Sequence, residues 1–164
     1  GRHADPNVFV QMDTYAVKGL QTGQIQFLYA PTHLNPTYEY GVTFERGTAV
    51  TYGDRKQIFI SGTASIDNQG EIMYPGDILK QTERMLENID TLLQEAGGGL
   101  QDIMQAIVYL RDPADYVVVK QYIESRYPSF LHLIVHAPVC RPGWLIETEC
   151  IAVIPADAPQ YAYL

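Results

Sequence analysis

Cys140, Arg141, Glu147 and Glu149 bring a thiol, a guanidinium and two carboxylates into one short stretch of the chain. A thiolate is a nucleophile that a neighbouring cation favours. A guanidinium can grip a carboxylate with two hydrogen bonds, and a positioned carboxyl group carries protons. Alternation through 145–154 puts Leu145, Glu147, Glu149, Ile151 and Val153 on one side of a strand, and Ile146, Thr148, Cys150, Ala152 and Ile154 on the other. The second set is apolar or small enough to face a core. Carboxylates inside such a strand are costly unless their face meets water, a ligand or a partner subunit. A sheet with one covered face and one working face is therefore expected.

Other groups compete for roles in that chemistry. In the preceding strand, over 131–137, His132, Ile134 and His136 share one face, and Leu131, Leu133 and Val135 share the other. If the leucines pack under the helices, both histidines join the glutamates. A His and Glu cluster in a cleft suits proton transfer to an imine or enol ether; the alternative is a set of ordinary interface charges, with Glu149 paired across the interface. His132, His136, Glu147 and Glu149 have the ligand types of a zinc site, but ligands on adjacent strands would have to converge, so no metal and no organic cofactor are expected. Cys140 reads either as a reactive thiol or as a small residue filling space beneath Trp144. Arg141 reads as an anchor for an anionic ligand, or as a solvated loop charge. Ser61, Gly62 and Thr63 can offer hydroxyls and backbone N–H groups to a ligand, with Gly62 allowing close approach, or can mark a β-bulge, and the two readings are compatible. Tyr52, Tyr109 and Tyr127 could line a cleft, but with 12 tyrosines in the chain no single one stands out.

The elements that must hold these groups are legible. Residues 42–52 and 57–66 read as strands joined by a Gly53-Asp54 turn. After Gly76 and Asp77, the residues Ile78, Thr82, Met85, Ile89, Leu92, Leu93 and Ala96 recur at helical spacing, and Gly97, Gly98 and Gly99 stop the helix. Residues 103–110 form a third strand, Asp112-Pro113 opens a second helix over about 114–126, and 131–137 and 145–154 close the fold. The order is ββαβαββ, an α+β domain whose mixed sheet carries two helices on one face. The other face needs a partner, and self-association supplies it. Before Gly41, segments 8–17 and 24–29 suggest short strands, and Pro31 and Pro36 suggest a surface excursion. The division expected is an extension over 1–40, the main domain over 41–156 and a tail over 157–164.

Composition narrows the class. At 164 residues and 46% hydrophobic, the chain suits one globular domain with a real core. The net charge of −8 and the lack of any basic cluster argue against nucleic-acid binding. No run is long and apolar enough for a bilayer, and the two cysteines fit no disulfide framework or CxxC metal pattern, so a cytoplasmic protein with reduced thiols is expected. The first residue is Gly1 rather than Met, which fits a cleaved chain or a piece of a longer protein, and residues 1–6 are set aside.

The element order, together with the run Ile60-Ser61-Gly62-Thr63-Ala64-Ser65-Ile66, Gln81 to Asn88 in the long helix, Ala96-Gly97, Val108-Tyr109-Leu110 and Glu147-Thr148-Glu149-Cys150-Ile151-Ala152, resembles the YjgF/YER057c/UK114 (Rid) superfamily over about residues 43–155. The resemblance implies a chorismate-mutase-like α+β fold and a homotrimer with small-molecule sites between subunits. Active members are enamine and imine deaminases, in which an arginine holds the substrate carboxylate and a glutamate on the last strand positions water. Glu147 matches that glutamate, whereas His132 stands at the arginine position. Cys140 and Glu147, with the Ser61 to Ile66 string, also resemble the chorismatase branch, which cleaves the enolpyruvyl ether of chorismate and whose members are about twice as long. The combined expectation is a small anionic metabolite bound in an inter-subunit cleft and cleaved by chorismatase-like lyase or hydrolase chemistry. Glu147 and Cys140 would be catalytic, and Arg141, Ser61, Gly62, Thr63 and His132 would bind the ligand. The alternatives are a non-catalytic ligand-binding module and an enamine or imine deaminase.

Overall fold

The computed structural model describes residue 5, residues 7–9 and residues 12–163. Its strands are β1 (Ile25–Leu28), β2 (Gly47–Thr51), β3 (Arg55–Ala64), β4 (Ile103–Leu110), β5 (His132–His136) and β6 (Ile146–Pro155), with helices α1 (Ile78–Glu95) between β3 and β4 and α2 (Tyr116–Arg126) between β4 and β5. They form one sheet in the order β1-β2-β3-β6-β4-β5. Neighbours are antiparallel except β4 and β5, because a parallel pair needs a crossover and α2 provides it. The expected ββαβαββ order is present, with β1 added at the edge beside β2. In the stretch 8–17, the described residues 8–9 and 12–17 are not strand, and 10–11 lie outside the described residues.

The long helix forms where its spacing predicts, for local reasons. The Asp77 carboxylate accepts the Lys80 N–H at 3.0 Å as an N-cap. At the other end Gly97 takes φ +90°, and the Gly98 and Gly97 amides return to the carbonyls of Leu93 and Gln94 at 2.9 and 3.0 Å. The face carrying Met85, Leu86, Ile89, Leu92 and Leu93 is buried against Ile58, Ile60, Ile146 and Ala152 of β3 and β6. Two buried amides interrupt this apolar face. The Asn88 side chain donates to the carbonyls of Ala64 and Ile66, both at 3.0 Å, and pins the end of β3. Gln81 donates to Gly143 O at 3.0 Å and accepts the Leu145 N–H at 2.9 Å, tying the loop before β6 to the helix.

Residues before β2 are built into the same core. Leu28, Ala30 and Leu34 are buried among the core residues. Arg46, itself buried, donates to the Asn35 carbonyl at 2.9 Å and to Asn35 Oδ1 at 2.9 Å. Farther upstream, Tyr15 lies on Phe59 with ring centroids 5.8 Å apart, and Val17 and Leu20 approach Val50 and Tyr52 from the same side. Part of the sheet face opposite the helices is thus covered by the chain's own residues 15–20. The rest stays open: Leu131 and Leu133 are 56% and 62% exposed.

Candidate functional site

Register decides which side chains meet. On β6, Ile146, Thr148, Cys150 and Ala152 are buried towards the helices, as the alternation predicts. Glu147 and Glu149 therefore face the open side. Across β4, Glu147 stands opposite Tyr109 and Glu149 opposite Ile107; Leu133 and Val135 of β5 extend these two rows. The Tyr109 hydroxyl donates to Glu149 Oε1 at 2.9 Å. Burial, then that hydrogen bond and the nearby carboxylate charge, pushes the Tyr109 phenol up to about 12, so it remains a donor across the ordinary pH range.

On the other side of β6 the pairing slips. Ile60 faces Cys150 and Thr63 faces Thr148, so β3 spends one extra residue at Ser61-Gly62. That is the β-bulge the glycine suggests. Its consequence is specific: a Cβ on Gly62 would stand 2.2 Å from Glu147 Oε1. The Glu147 carboxylate lies directly on backbone that only glycine leaves bare. Half-burial is the main cause of the raised Glu147 pKa; the Cys140 backbone amide, directed at the carboxylate, opposes the shift, and the Glu149 charge adds to it. Glu147 therefore keeps its proton to higher pH than an ordinary glutamate.

Ser61 lines a cavity of about 290 Å³ on the open face with Phe59, Gln105, Ile107, Glu149 and Ile151. Its hydroxyl donates to Glu45 O at 2.6 Å. Thr63 is buried on the helix side, and its hydroxyl donates to Ser61 O at 2.9 Å. Both hydroxyls are thus engaged by backbone carbonyls, one before β2 and one in the bulge.

The loop between β5 and β6 carries Cys140 and Arg141. Arg141 donates from Nη1 to Gly70 O at 3.0 Å and lies 5.1 Å from the Trp144 ring centroid. Cys140 is exposed, so it does not fill space beneath Trp144. Cys150 is buried, and that burial pushes its thiol up to about 12. Thiol labelling should reflect the contrast: iodoacetamide is expected to modify one cysteine, Cys140, in the native protein and both after unfolding. Equal labelling of the two in the native state would contradict this placement.

The expectation that His132 and His136 share the face of the glutamates does not hold. In the parallel β4–β5 register His132 pairs with Ala106, Ile134 with Val108 and His136 with Leu110, all on the helix side. His132 Nδ1 is 2.8 Å from Phe130 O, and its ring packs on Phe130. The leucine face is the open one, because β5 is an edge strand and Ile134 alone of its apolar residues packs on the core. His132 therefore does not join Glu147, and a zinc site from His132, His136, Glu147 and Glu149 is geometrically closed. Among the described residues no group of three His, Cys, Asp or Glu side chains converges to hold a metal.

Sequence reasoning missed Arg111. Its guanidinium donates to the carbonyls of Trp144, Val139 and Arg141 at 2.6, 2.8 and 2.6 Å, gathering the loop around one charge. Its position after β4 and before Asp112-Pro113 reads only as a helix entry. No local pattern announces three carbonyls from 28 to 33 residues downstream.

The fold and site define an α+β protein whose open sheet face presents a glycine-seated carboxylate beside a loop cysteine. The family model described as Endoribonuclease L-PSP matches residues 47–154, and the chain belongs to that family, the YjgF/Rid group. The 3-aminoacrylate deaminase RutC of Acinetobacter baylyi is 31% identical over 97 residues, covering 58% of this chain and 77% of RutC. A RutC family protein of Pyrococcus abyssi is 35% identical over 97 residues, 58% of this chain and 76% of the relative. Among solved structures, RidA from an Antarctic Psychrobacter has a TM-score of 0.64 at 24% identity, covering 79% of this chain and 99% of that one. Yeast Mmf1 has a TM-score of 0.67 at 14% identity, with coverage of 79% and 98%. At these identities the two structures share the fold. No helix among the described residues is long and apolar enough to cross a membrane.

Proposed function

We propose that this chain hydrolyses an enamine or imine, with Glu147 as the proton carrier. The observation that carries the proposal is the Glu147 carboxyl group, half-buried, seated on Gly62 and holding its proton to raised pH. A carboxyl group of this kind can protonate the nucleophilic carbon of an enamine to give an iminium. The carboxylate so formed then takes a proton from the attacking water, and collapse of the carbinolamine releases ammonia and leaves a carbonyl product. The name of the RutC relative, a 3-aminoacrylate deaminase, supports this class of reaction. Arg141, next to Cys140 in the loop before β6, would supply the cation that meets a substrate carboxylate. The unpaired thiols Cys140 and Cys150 fit a reducing, cytoplasmic setting.

A second reading is favoured by the exposed Cys140 in the loop that leads to Glu147, since a cysteine and a glutamate at this spacing belong to the chorismatase pattern. There the first step is also protonation of an electron-rich C=C, in an enol ether. One assay separates the readings: ammonia release from a 2-imino acid generated in situ by an amino-acid oxidase, run beside loss of chorismate by mass spectrometry. Imine turnover dependent on Glu147 is the expected result. Chorismate loss alone would replace the first reading with the second, and silence on both would leave a binding module.

The open face also supports self-association, with the site between copies of the chain. Ile107, Ile151 and the exposed Leu133 give that face its apolar character. Light scattering should show an oligomer, and Ile107→Asp should reduce it to the mass of one chain, because a charge in the middle of an apolar contact is left unpaired. An unchanged mass would exclude this face as the contact.

A further inference from the structure

We infer that Thr63 is a positioning residue for Glu147, acting through the β-bulge at Ser61-Gly62. Its consequence for turnover rests on the proposed role of Glu147; its geometry does not.

Glycine loses more conformational freedom on folding than any other residue, so a seat built on Gly62 has to be held by its neighbours. β3 is anchored on both sides of it. On the N-terminal side the Ser61 N–H donates to Arg46 O at 3.1 Å, and the Ser61 hydroxyl to Glu45 O at 2.6 Å. On the C-terminal side the Asn88 amide donates to the carbonyls of Ala64 and Ile66, both at 3.0 Å. The ladder to β6 skips the residues between, because Ile60 pairs with Cys150 and the next pair is Thr63 with Thr148. The Thr63 hydroxyl spans this gap. It donates to Ser61 O at 2.9 Å and so closes a ring that contains the Gly62 backbone.

Burial gives that bond its weight. Thr63 is only 1% exposed, so water cannot stand in for its hydroxyl without opening the sheet. Thr148, its neighbour across the ladder, is buried as well, and the Thr148 hydroxyl has no hydrogen-bond partner among the described residues. The Thr63 hydroxyl is thus turned along its own strand to the bulge, not across to β6. The seat has little slack. The place a Gly62 Cβ would take lies 2.2 Å from Glu147 Oε1, 3.2 Å from its Cδ and 3.6 Å from its Cγ. Any rotation of the peptides flanking Gly62 therefore moves the backbone on which the carboxylate rests.

The test is the nuclear Overhauser effect between the Gly62 Hα and Glu147 Hγ protons in the full chain, for wild type, Thr63→Val, Thr63→Ala and Thr63→Ser. Valine keeps the volume and the β-branch and removes the hydroxyl, whereas serine keeps the hydroxyl. The cross-peak should fall several-fold in Thr63→Val and hold its wild-type strength in Thr63→Ser. The cross-peak between Gly98 Hα and the Ile154 methyl, at the other end of β6, should stay constant in all four and so report an intact fold. An unchanged Gly62–Glu147 cross-peak in folded Thr63→Val would overturn the inference, and Thr63→Ala decides if Thr63→Val does not fold. Equal loss in Thr63→Ser would overturn it too, because the hydroxyl would then not be what holds the seat. The measurement needs no turnover, so a wild-type protein inactive on imines would refute the proposed reaction and leave this result standing. If imines are turned over, Thr63→Val should lower kcat by about tenfold at nearly constant KM, and Thr63→Ser should keep most of it.

Discussion

Glu147→Gln is expected to lower imine or enamine turnover by about 10²–10⁴-fold, the usual contribution of a positioned general acid–base group. Glutamine keeps the shape of the side chain over Gly62, but it has no acidic proton to exchange. The substitution should therefore act on kcat, with little change in substrate binding. Its effect on stability should depend on pH, with a definite sign. Burial raises the folded-state pKa of Glu147 above that of the unfolded chain. The stabilising contribution of the protonated form is thus fully present below the ordinary glutamate range and is lost as pH rises through the raised value. Glutamine is neutral throughout, so the variant should gain stability relative to wild type as pH rises through that window. Thermal melts of the two proteins across pH, beside the turnover assay, check both parts. Full activity in Glu147→Gln would remove this residue from the chemistry.

Gly62→Ala should reduce turnover by about 10²-fold while leaving the fold intact. An added Cβ would sit 2.2 Å from Glu147 Oε1 and 3.2 Å from its Cδ. The carboxylate must therefore swing away, and misplacing a reacting group by about 1 Å commonly costs that factor. The atom that yields is the end of a flexible side chain rather than backbone, and Gly62 is not among the glycines with positive φ. Alanine also lowers the conformational entropy of the unfolded chain, so the net change in stability should stay within about 1 kcal/mol. A double variant with Glu147→Gln should be no less active than Glu147→Gln alone, since both remove the same function. Two independent, additive losses would mean that Gly62 serves something other than the seat of Glu147.

Much of the frame was legible along the chain because it rests on local rules. Alternation through 145–154 assigned every residue of β6 to the correct face, since a strand buried on one side must alternate. The α1 boundaries followed from Asp77 and the glycines at 97–99, whose capping roles are fixed by backbone geometry within a few residues. The same rule misplaced His132, and the reason is instructive. Period two separates the two faces of β5 but does not say which is inward, and the more apolar set is the wrong guide on an edge strand that the helices barely cover. Residues 15–20 carried no signal of their place either, because a segment that crosses a sheet face without joining it has no period to read.

Residue types and their order alone determined the strand and helix sequence, the outward aim of Glu147 and Glu149, the bulge signal at Gly62 and the nearness of Cys140 to Arg141. Tertiary structure alone decided that the Glu147 carboxylate rests on Gly62, that Tyr109 serves Glu149, and that Arg111 gathers the Cys140 loop. The division has a physical cause. Periodicity and capping act over the few residues that one turn or one pleat spans. The raised proton affinity of Glu147 depends instead on burial and on backbone at Gly62 that strand order and a one-residue slip in register bring from 85 positions away.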